Sequence, residues 1–506
     1  MFFPNFASNN SNHNKMKKVT LILALFLGFI PMLNAQWTSP GNGTTYTLPD
    51  LVETGCVLHD NANGVFSIST DITISATDRL YITRDNAPFC LLFNENDLTL
   101  TIKGALVVEG EEDFHYYIGM QVYAQHGRIR FEDASDPSRI SNCDFADLSG
   151  IQIIGSDVTF ENCKILNFNT FYQSSTINCL NCSPMFAHCE FYSNEGAAIS
   201  SPANGQASPQ ILNCQFTNNV TSNANQPQIN LGPGANDTIR IVNCTIEGGG
   251  HDMSGGITIT DLMNTGDTKI LLKDNIVKNN RYGYNQQGYN LSSVIVGNQF
   301  IDNNLETNPM NGGSGISVFG MNENNKAVIR NNMITGNLWG ITAINAFDID
   351  LGTEDDWGYN QIHDNGNGGV VYDLYNNSAN DIMAVGNYWG TTDIQEIEDH
   401  ITHQNDDPNL GLVNYIPFLE DDDVSESDIT SFEVWPNPVS DGSFTLTLEN
   451  AIPSELMIYN VNGQMVKTQR IDNQTNIINV ESLGSGVYFV EIRDISGKTV
   501  KKLLIK

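Results

Sequence analysis

Positive charge is scarce in this chain. Of 506 residues, 24 are Lys or Arg against 58 Asp or Glu, a formal net charge of −34. Phosphate contacts need clustered cations, so this balance excludes a nucleic-acid binder and an unassisted binder of anionic membranes. Charged residues of both signs are only 16 %, well below the usual quarter, which argues against a helix-rich protein surfaced with Glu and Lys. Long apolar runs are missing too, apart from one near the start. What is present is 40 % aliphatic and aromatic residues, enough for a large core. Asn, Ser, Thr and Gly supply the polar remainder, a balance that fits turn-rich β-structure. The length allows two to four domains.

The exceptional run has the layout of an export signal. Lys15, Lys17 and Lys18 precede apolar residues from Val19 to Leu33, and Ala35 offers a small residue for cleavage before Gln36. That order of charged, apolar and small residues marks a secretory signal peptide over 1–35, with Met16 as a second candidate start. A run of about 15 residues falls short of the roughly 20 that span a bilayer, so the mature chain is expected to have no transmembrane segment. Nine cysteines in an exported chain would suggest disulfides, but the odd number leaves at least one thiol without an intramolecular partner.

The middle of the chain repeats one phrase: Asn or Cys, any residue, then Phe or Ile. It occurs at Cys143, Cys163, Cys189, Cys214 and Cys244, each two residues before Phe or Ile. It continues at Asp274, Asn298, Asn332 and Asn360, and at Asn387 with Trp389. The mean step from Cys143 to Asn387 is about 27 residues, in the range of solenoids. A second phrase, Gly before β-branched alternation, follows many copies, as in Gly150-Ile151-Gln152-Ile153 and Gly315-Ile316-Ser317-Val318. Three short strands per period fit one coil of a parallel β-helix. Leucine-rich repeats need several Leu at fixed spacing, and a sandwich would show hairpin turns in place of a fixed beat. The Asn/Cys column reads as a structural ladder, in which an Asn with left-handed backbone bridges its equivalents one strand spacing above and below. Cys179 and Cys182 are the one close cysteine pair, without the second pair that a zinc site needs.

On these repeats, residues 37–420 resemble the right-handed parallel β-helix superfamily, which includes pectate-lyase-like folds. The expected fold is all-β: a helix of roughly 13 coils over 36–420, about 60 Å long at one strand spacing per coil. The run from Gln395 to His403 is expected to form a capping helix that hides open strand edges, with His400 and His403 on its surface. An acidic linker over 421–430 then leads to short alternating strands, with Asn462-Gly463 and Ser496-Gly497 as turns, expected to form a small immunoglobulin-like β-sandwich over 431–506. Four motifs occur there in order. They are Trp435-Pro436-Asn437-Pro438; Ile458-Tyr459-Asn460 with Gly463; Gly486-Val487-Tyr488; and Gly497-Lys498 followed by Lys501-Lys502. Together they resemble the type A C-terminal sorting domain of type IX secretion. With the signal peptide for passage across the inner membrane, that resemblance implies outer-membrane translocation by the type IX machinery, then release or anchoring at the outer-membrane cell surface.

Chemistry is harder to find. Pectate-lyase-like catalysis implies Ca²⁺ held by carboxylates and an Arg or Lys base. From Asn331 to Glu420 there are 15 acids and no Lys or Arg. The one basic zone is Lys269, Lys273, Lys278 and Arg281 beside Asp261, Asp267, Asp274 and Asp302, which makes Lys273, Arg281 and Asp267 candidate lyase residues. Gly250-His251-Asp252 faintly resembles the Gly-His-Gly motif of polygalacturonase-like glycosidases, with Asp237 as the available second acid. That family's adjacent aspartates and its Arg-Ile-Lys motif are absent. Acidic turns Glu354-Asp355-Asp356 and Asp406-Asp407 offer ligands for Ca²⁺. Tyr282, Tyr284, Trp339, Trp357, Tyr359, Tyr372, Tyr375 and Trp389 cluster in the later coils, where exposed rings would stack on sugars. Two functions follow: a non-catalytic adhesive or glycan-binding rod, and an extracellular polysaccharide lyase or glycoside hydrolase. The incompleteness of every catalytic motif favours the rod. A compact cluster of acids with one Arg, Lys or His in a groove would favour the enzyme, and a flat, polar, Asn-rich face the rod.

Overall fold

The computed structural model describes residues 36–86, 90–95, 97–120, 126–421, 432–440, 442–448, 454–460, 465–471, 473–493 and 498–506. The signal run, Ala35, most of the acidic linker, and the turns at Gly463 and Gly497 lie outside the described residues.

Alternation of apolar and polar residues makes each coil three short strands, and stacking the coils makes three long parallel sheets. Sheet 1 has 14 strands, from Trp37–Thr38 to Ile401–Thr402; sheet 2 has 14, from Thr45–Tyr46 to Val413–Asn414; sheet 3 has 13, from Val57–Asp60 to Gln361–His363. The chain visits them in the order 1, 2, 3 and steps to the next coil, as in Ser254–Asp261, Thr268–Lys273, Ile276–Lys278 and then Tyr284–Gly288. The sheet-3 strands are often three residues long with a single inward residue, and these stack as Phe191, Phe216, Ile246, Val277 and Phe300, all buried. The Phe191 and Phe216 rings lie parallel at 4.6 Å. One continuous apolar core fills the tube.

The ladder at the sheet 2–3 corner divides its work between two residues. The first takes the left-handed conformation: Asn142, Asn162, Asn213, Asn243, Asp274 and Asn331 have φ between 50° and 55°. The second points inward and bonds. Asp274 is therefore the turn residue of its coil and Asn275 the ladder member, one position later than the repeat suggested. Nδ2 of Asn275, Asn298, Asn332 and Asn360 each donates to Oδ1 of the next rung at 2.8–3.0 Å, ending on Asn387. All nine cysteines are free, and the five in the column are buried.

A second ladder flanks the other end of each sheet-3 strand, five residues on. It runs Asn194, Asn219, Gln228, Asn280, Asn303, Asn337, Asn365, with side-chain bonds of 2.7–3.2 Å. Gly249 occupies the rung between Asn219 and Asn280 and has no side chain to offer. Gln228 reaches into the gap and bridges the two.

Both ends are closed. At the first coil the helix Leu48–Glu53 buries Leu48 and Leu51, and the buried Asp78 carboxylate accepts the amides of Gly41, Asn42, Gly43 and Thr44. At the last, the helix Ile394–His400 is capped by Asp393, which accepts from Gln395 N and Glu396 N. His403 is not on the surface of that helix. It lies beyond the helix, 1 % exposed, with Nε2 3.0 Å from Glu398 Oε1 and Nδ1 accepting from Val413 N. After the linker come two antiparallel sheets of three and four strands with an apolar core of their own.

A groove of aromatic rings over a polar sheet face

Outward positions on sheet 1 fall into columns because its strands pair in register. One column runs from Arg130 through Gln152, Asn178, Ser200, Asn230, Thr258, Asn285, Ser317 and Thr342 to Tyr375. Every member from Gln152 to Tyr375 is uncharged. Neighbours brace one another: Asn178 Nδ2 donates to Ser200 Oγ at 3.0 Å, and the Thr258 and Tyr282 hydroxyls lie 2.8 Å apart.

At the late end of this column the face becomes a groove of about 540 Å³. Asn285, Ser317 and Thr342 form its floor, and Tyr282, Trp339, Tyr372 and Tyr375 its rings. The Trp339 ring centroid is 4.6 Å from that of Tyr372 and 5.4 Å from that of Tyr375, both tilted by about 40–45°. The Pro309–Gly312 segment forms a wall beside them, and no motif in the sequence singles it out. Trp339 Nε1 donates to Pro309 O at 2.9 Å, which fixes the half-buried indole. Arg281 braces the wall through Asn311 O and Asn225 Oδ1. Tyr282 lies flat across its strand because Gly255 has no Cβ; one built there would come within 2.2 Å of the ring. Among the described residues lining the groove none carries a formal charge. The Glu306 carboxylate accepts from Asn308 N at 2.9 Å, inside the wall loop.

The other candidates are dispersed. Tyr284 and Trp389 are fully buried, and Trp357 and Tyr359 form a separate pair 6.1 Å apart. Lys269 and Lys273 lie on sheet 2, Lys278 pairs with Glu247 at 3.2 Å on sheet 3, and Arg281 begins the next coil, so the basic zone is split over three faces. Asp267 is exposed in the loop before Lys269. His251 Nε2 lies 3.2 Å from Asn218 Oδ1, and Asp252 accepts from Asn223 Nδ2 at 2.7 Å. Asp237 and Asp252 sit in loops at opposite edges of sheet 1, so they do not face one another as a pair. Asp356 pairs with the buried Arg330 at 2.9 Å, and Asp406 accepts from His403 N. Among the described residues no group of three or more His, Cys, Asp or Glu is placed to hold a metal ion.

A second cleft, of about 660 Å³, is lined by His126, Asp147, Phe171 and Glu195 among others. Burial pushes the Asp147 carboxyl up, against hydrogen bonds from Asn167 and Tyr117. Its parts already serve one another: His126 stacks on Phe171 with centroids 3.6 Å apart, and Glu195 holds Thr170 N and Oγ1.

The comparisons with known proteins bear on the fold and on the destination. The family model described as right handed beta helix region matches residues 117–264, one described as a protein of unknown function (DUF1565) matches 224–394, and the secretion system C-terminal sorting domain matches 433–506. The chain is a right-handed β-helix protein with a secretion sorting domain. The sorting domain marks this β-helix protein for the type IX machinery and for export to the cell surface or release. Among the described residues no helix is long and apolar enough to cross a membrane. An ulvan lyase, NLR42, of Nonlabens ulvanivorans is 31 % identical over 83 residues, which is 16 % of this chain and 15 % of that enzyme. The periplasmic alginate epimerase AlgG aligns over 74 % of this chain and 83 % of its own, at 12 % identity and a TM-score of 0.45. A mannuronic acid specific polysaccharide family 6 lyase from human gut microbiota aligns over 72 % and 85 %, at 11 % identity and 0.26.

Within the sorting domain, the Trp435-Pro436-Asn437-Pro438 motif holds the last strand. Asn437 Nδ2 donates to Lys502 O at 2.7 Å and its Oδ1 accepts from Leu504 N at 2.9 Å. Gly486 pairs with Ile505 in the same sheet, Tyr488 Oη donates to Gly484 O, and Lys501 Nζ lies 5.4 Å from the Phe432 ring centre. Trp435 itself is 75 % exposed.

Proposed function

We propose that the protein is a non-catalytic extracellular rod that holds a glycan in the Trp339 groove. The observation that carries this reading is the convergence of Tyr282, Trp339, Tyr372 and Tyr375 over a floor of amide and hydroxyl groups. Sugars present apolar CH faces and a rim of hydroxyls, so rings and polar side chains together match both parts. The polar face of sheet 1 supports the rod. The enzyme reading draws its support from the second cleft, which His126, Asp147 and Glu195 line together and where burial raises the Asp147 carboxyl.

One experiment addresses both. The purified full chain is passed over a panel of immobilised polysaccharides, with and without Ca²⁺, while reducing ends and ultraviolet-absorbing unsaturated products are followed. Retention without turnover is expected, and Trp339→Ala should weaken it by at least about tenfold, the effect of losing a central aromatic anchor. Product formation lost on Asp147→Asn would establish the enzyme instead. Full retention by Trp339→Ala would remove the groove from the function.

A further inference from the structure

We infer that the groove and the polar column form one track for an uncharged polysaccharide, laid along the rod across the strands. This rests on the glycan-binding reading above and adds the chemical class and the direction of the chain.

Charge gives the class. The protein carries 58 acids against 24 cations, so its field is strongly negative, yet no charged residue stands in the column from Gln152 to Tyr375; the Arg130–Glu132 pair bounds it beyond Gln152. A polyanion approaching such a surface is repelled unless cations line its path. No cation does so among the described residues from Gln152 to Thr342 in the column, nor in the groove. Arg281 follows the ladder into the wall but is committed to Asn311 O and Asn225 Oδ1. An uncharged sugar chain avoids that repulsion, and its hydroxyls, each donor and acceptor, match amides and hydroxyls without leaving a buried charge unpaired.

Register gives the direction. Gln152, Asn178, Asn230, Asn285 and Ser317 are the accessible members of this in-register column, with the buried Ser200, Thr258 and Thr342 between them, so amide and hydroxyl groups recur at multiples of about 4.8 Å along the rod. From Gln152 to Ser317 the accessible members span six strand spacings, about 29 Å. Along a strand, by contrast, outward positions alternate with buried ones and give out after two or three residues. A polymer of identical units meets identical partners only if it runs along the rod. Cross-bracing of the column, as between Ser314 Oγ and Thr342 Oγ1 at 2.7 Å, fixes these groups before the ligand arrives, which lowers the ordering cost of binding.

The test uses the full chain and measures affinity for laminarin, xylan and cello-oligosaccharides beside alginate and polygalacturonate, at low and high salt. Gln152→Ala with Asn230→Ala removes two outward side chains far from the rings, and circular dichroism checks that the fold is kept. The expected result is binding of an uncharged glycan that salt does not weaken. The double variant should lose at least about fivefold for long chains, the worth of one or two hydrogen bonds, and nothing for a trisaccharide. Salt-sensitive binding of the uronates overturns the uncharged class and leaves the glycan-binding reading standing. Equal affinity of the double variant for long chains overturns the track and confines binding to the rings. Failure of every probe to bind overturns both readings.

Discussion

The asparagine at the sheet 2–3 corner has a defined job, and the cysteines show which parts of that job matter. Asn298 Nδ2 donates to Val296 O, two residues back, and to Leu272 O in the previous coil, while Asn275 N donates to its Oδ1. Cys214 repeats the pattern with sulfur: Sγ–H reaches Leu212 O at 3.3 Å and Phe186 O at 3.4 Å, and Cys189 N donates to the sulfur. Burial holds the thiols of Cys143 and Cys244 above their ordinary range, so they stay protonated and able to donate. Substitution tests the equivalence. Asn332→Ala strips partners from the Ile295, Arg330 and Asn298 groups and should cost about 2–4 kcal/mol, the penalty of several unmet buried groups. Asn332→Asp should cost more, since an acceptor-only carboxylate faces carbonyl oxygens. Asn332→Cys should cost least of the three. Chemical denaturation gives the order, and a Cys variant no better than Ala would end the equivalence. This column was legible in the sequence because Asn and Cys recur before Phe or Ile. At Asp274 the reading slipped by one, because both corner positions accept Asx residues and only backbone geometry tells the turn residue from the rung.

At the scale of elements, what was hidden is mostly what long-range reach decides. The second ladder is not legible in the sequence because Gly249 interrupts it and Gln228, from another part of the coil, completes it. The aromatic cluster was visible, but only the wall loop and the pairing of sheet 1 show which four rings converge. The capping helix was legible from its polar run, while the burial of His403 was not. The second ladder ends in a carboxylate that makes this cap sensitive to pH. Asn365 N and Nδ2 both donate to Oδ1 of Asp373, which is fully buried, and His400 Nδ1 lies 3.1 Å from its Oδ2. Burial raises the Asp373 carboxyl, and the Asp373 carboxylate, with Glu396 and Asp399 beyond it, raises His400. A group raised on folding contributes stability below its unfolded value and loses it as pH climbs through the folded one. The His400 contribution to the cap should therefore be complete below about pH 6.5, the ordinary histidine value, and be lost as pH rises past the raised value of His400, while the raised Asp373 carboxyl gives up its own contribution from lower pH. Hydrogen-exchange protection across 373–403 should fall over that window. Asp373→Asn keeps the acceptor for Asn365 and removes the charge, so it should flatten the dependence; an unchanged slope would mean that another group sets it.

For the whole molecule, the two apolar cores share no member, and the cationic residues are spread unevenly between them. Seven basic residues lie between Lys467 and Lys506, on a module that follows a rod with none from Asn331 to Glu420. Each coil of a solenoid draws its stability from its neighbours and its caps. The rod, closed at both ends, should owe nothing thermally to the sorting domain, whereas export should depend on it wholly. A chain ending at Glu420 should then keep the main melting transition of the full protein while accumulating inside the cell. Asn437→Ala, which leaves Leu504 N and Lys502 O without their partner, should lower the stability of the second core alone and reduce export without touching glycan retention. Calorimetry of the full chain, the truncation and the variant separates the two transitions. Loss of the rod's transition on truncation would show that the modules fold as one unit, and normal export of Asn437→Ala would show that the machinery reads the Trp435-Pro436-Asn437-Pro438 surface without needing the last strand to be held against it.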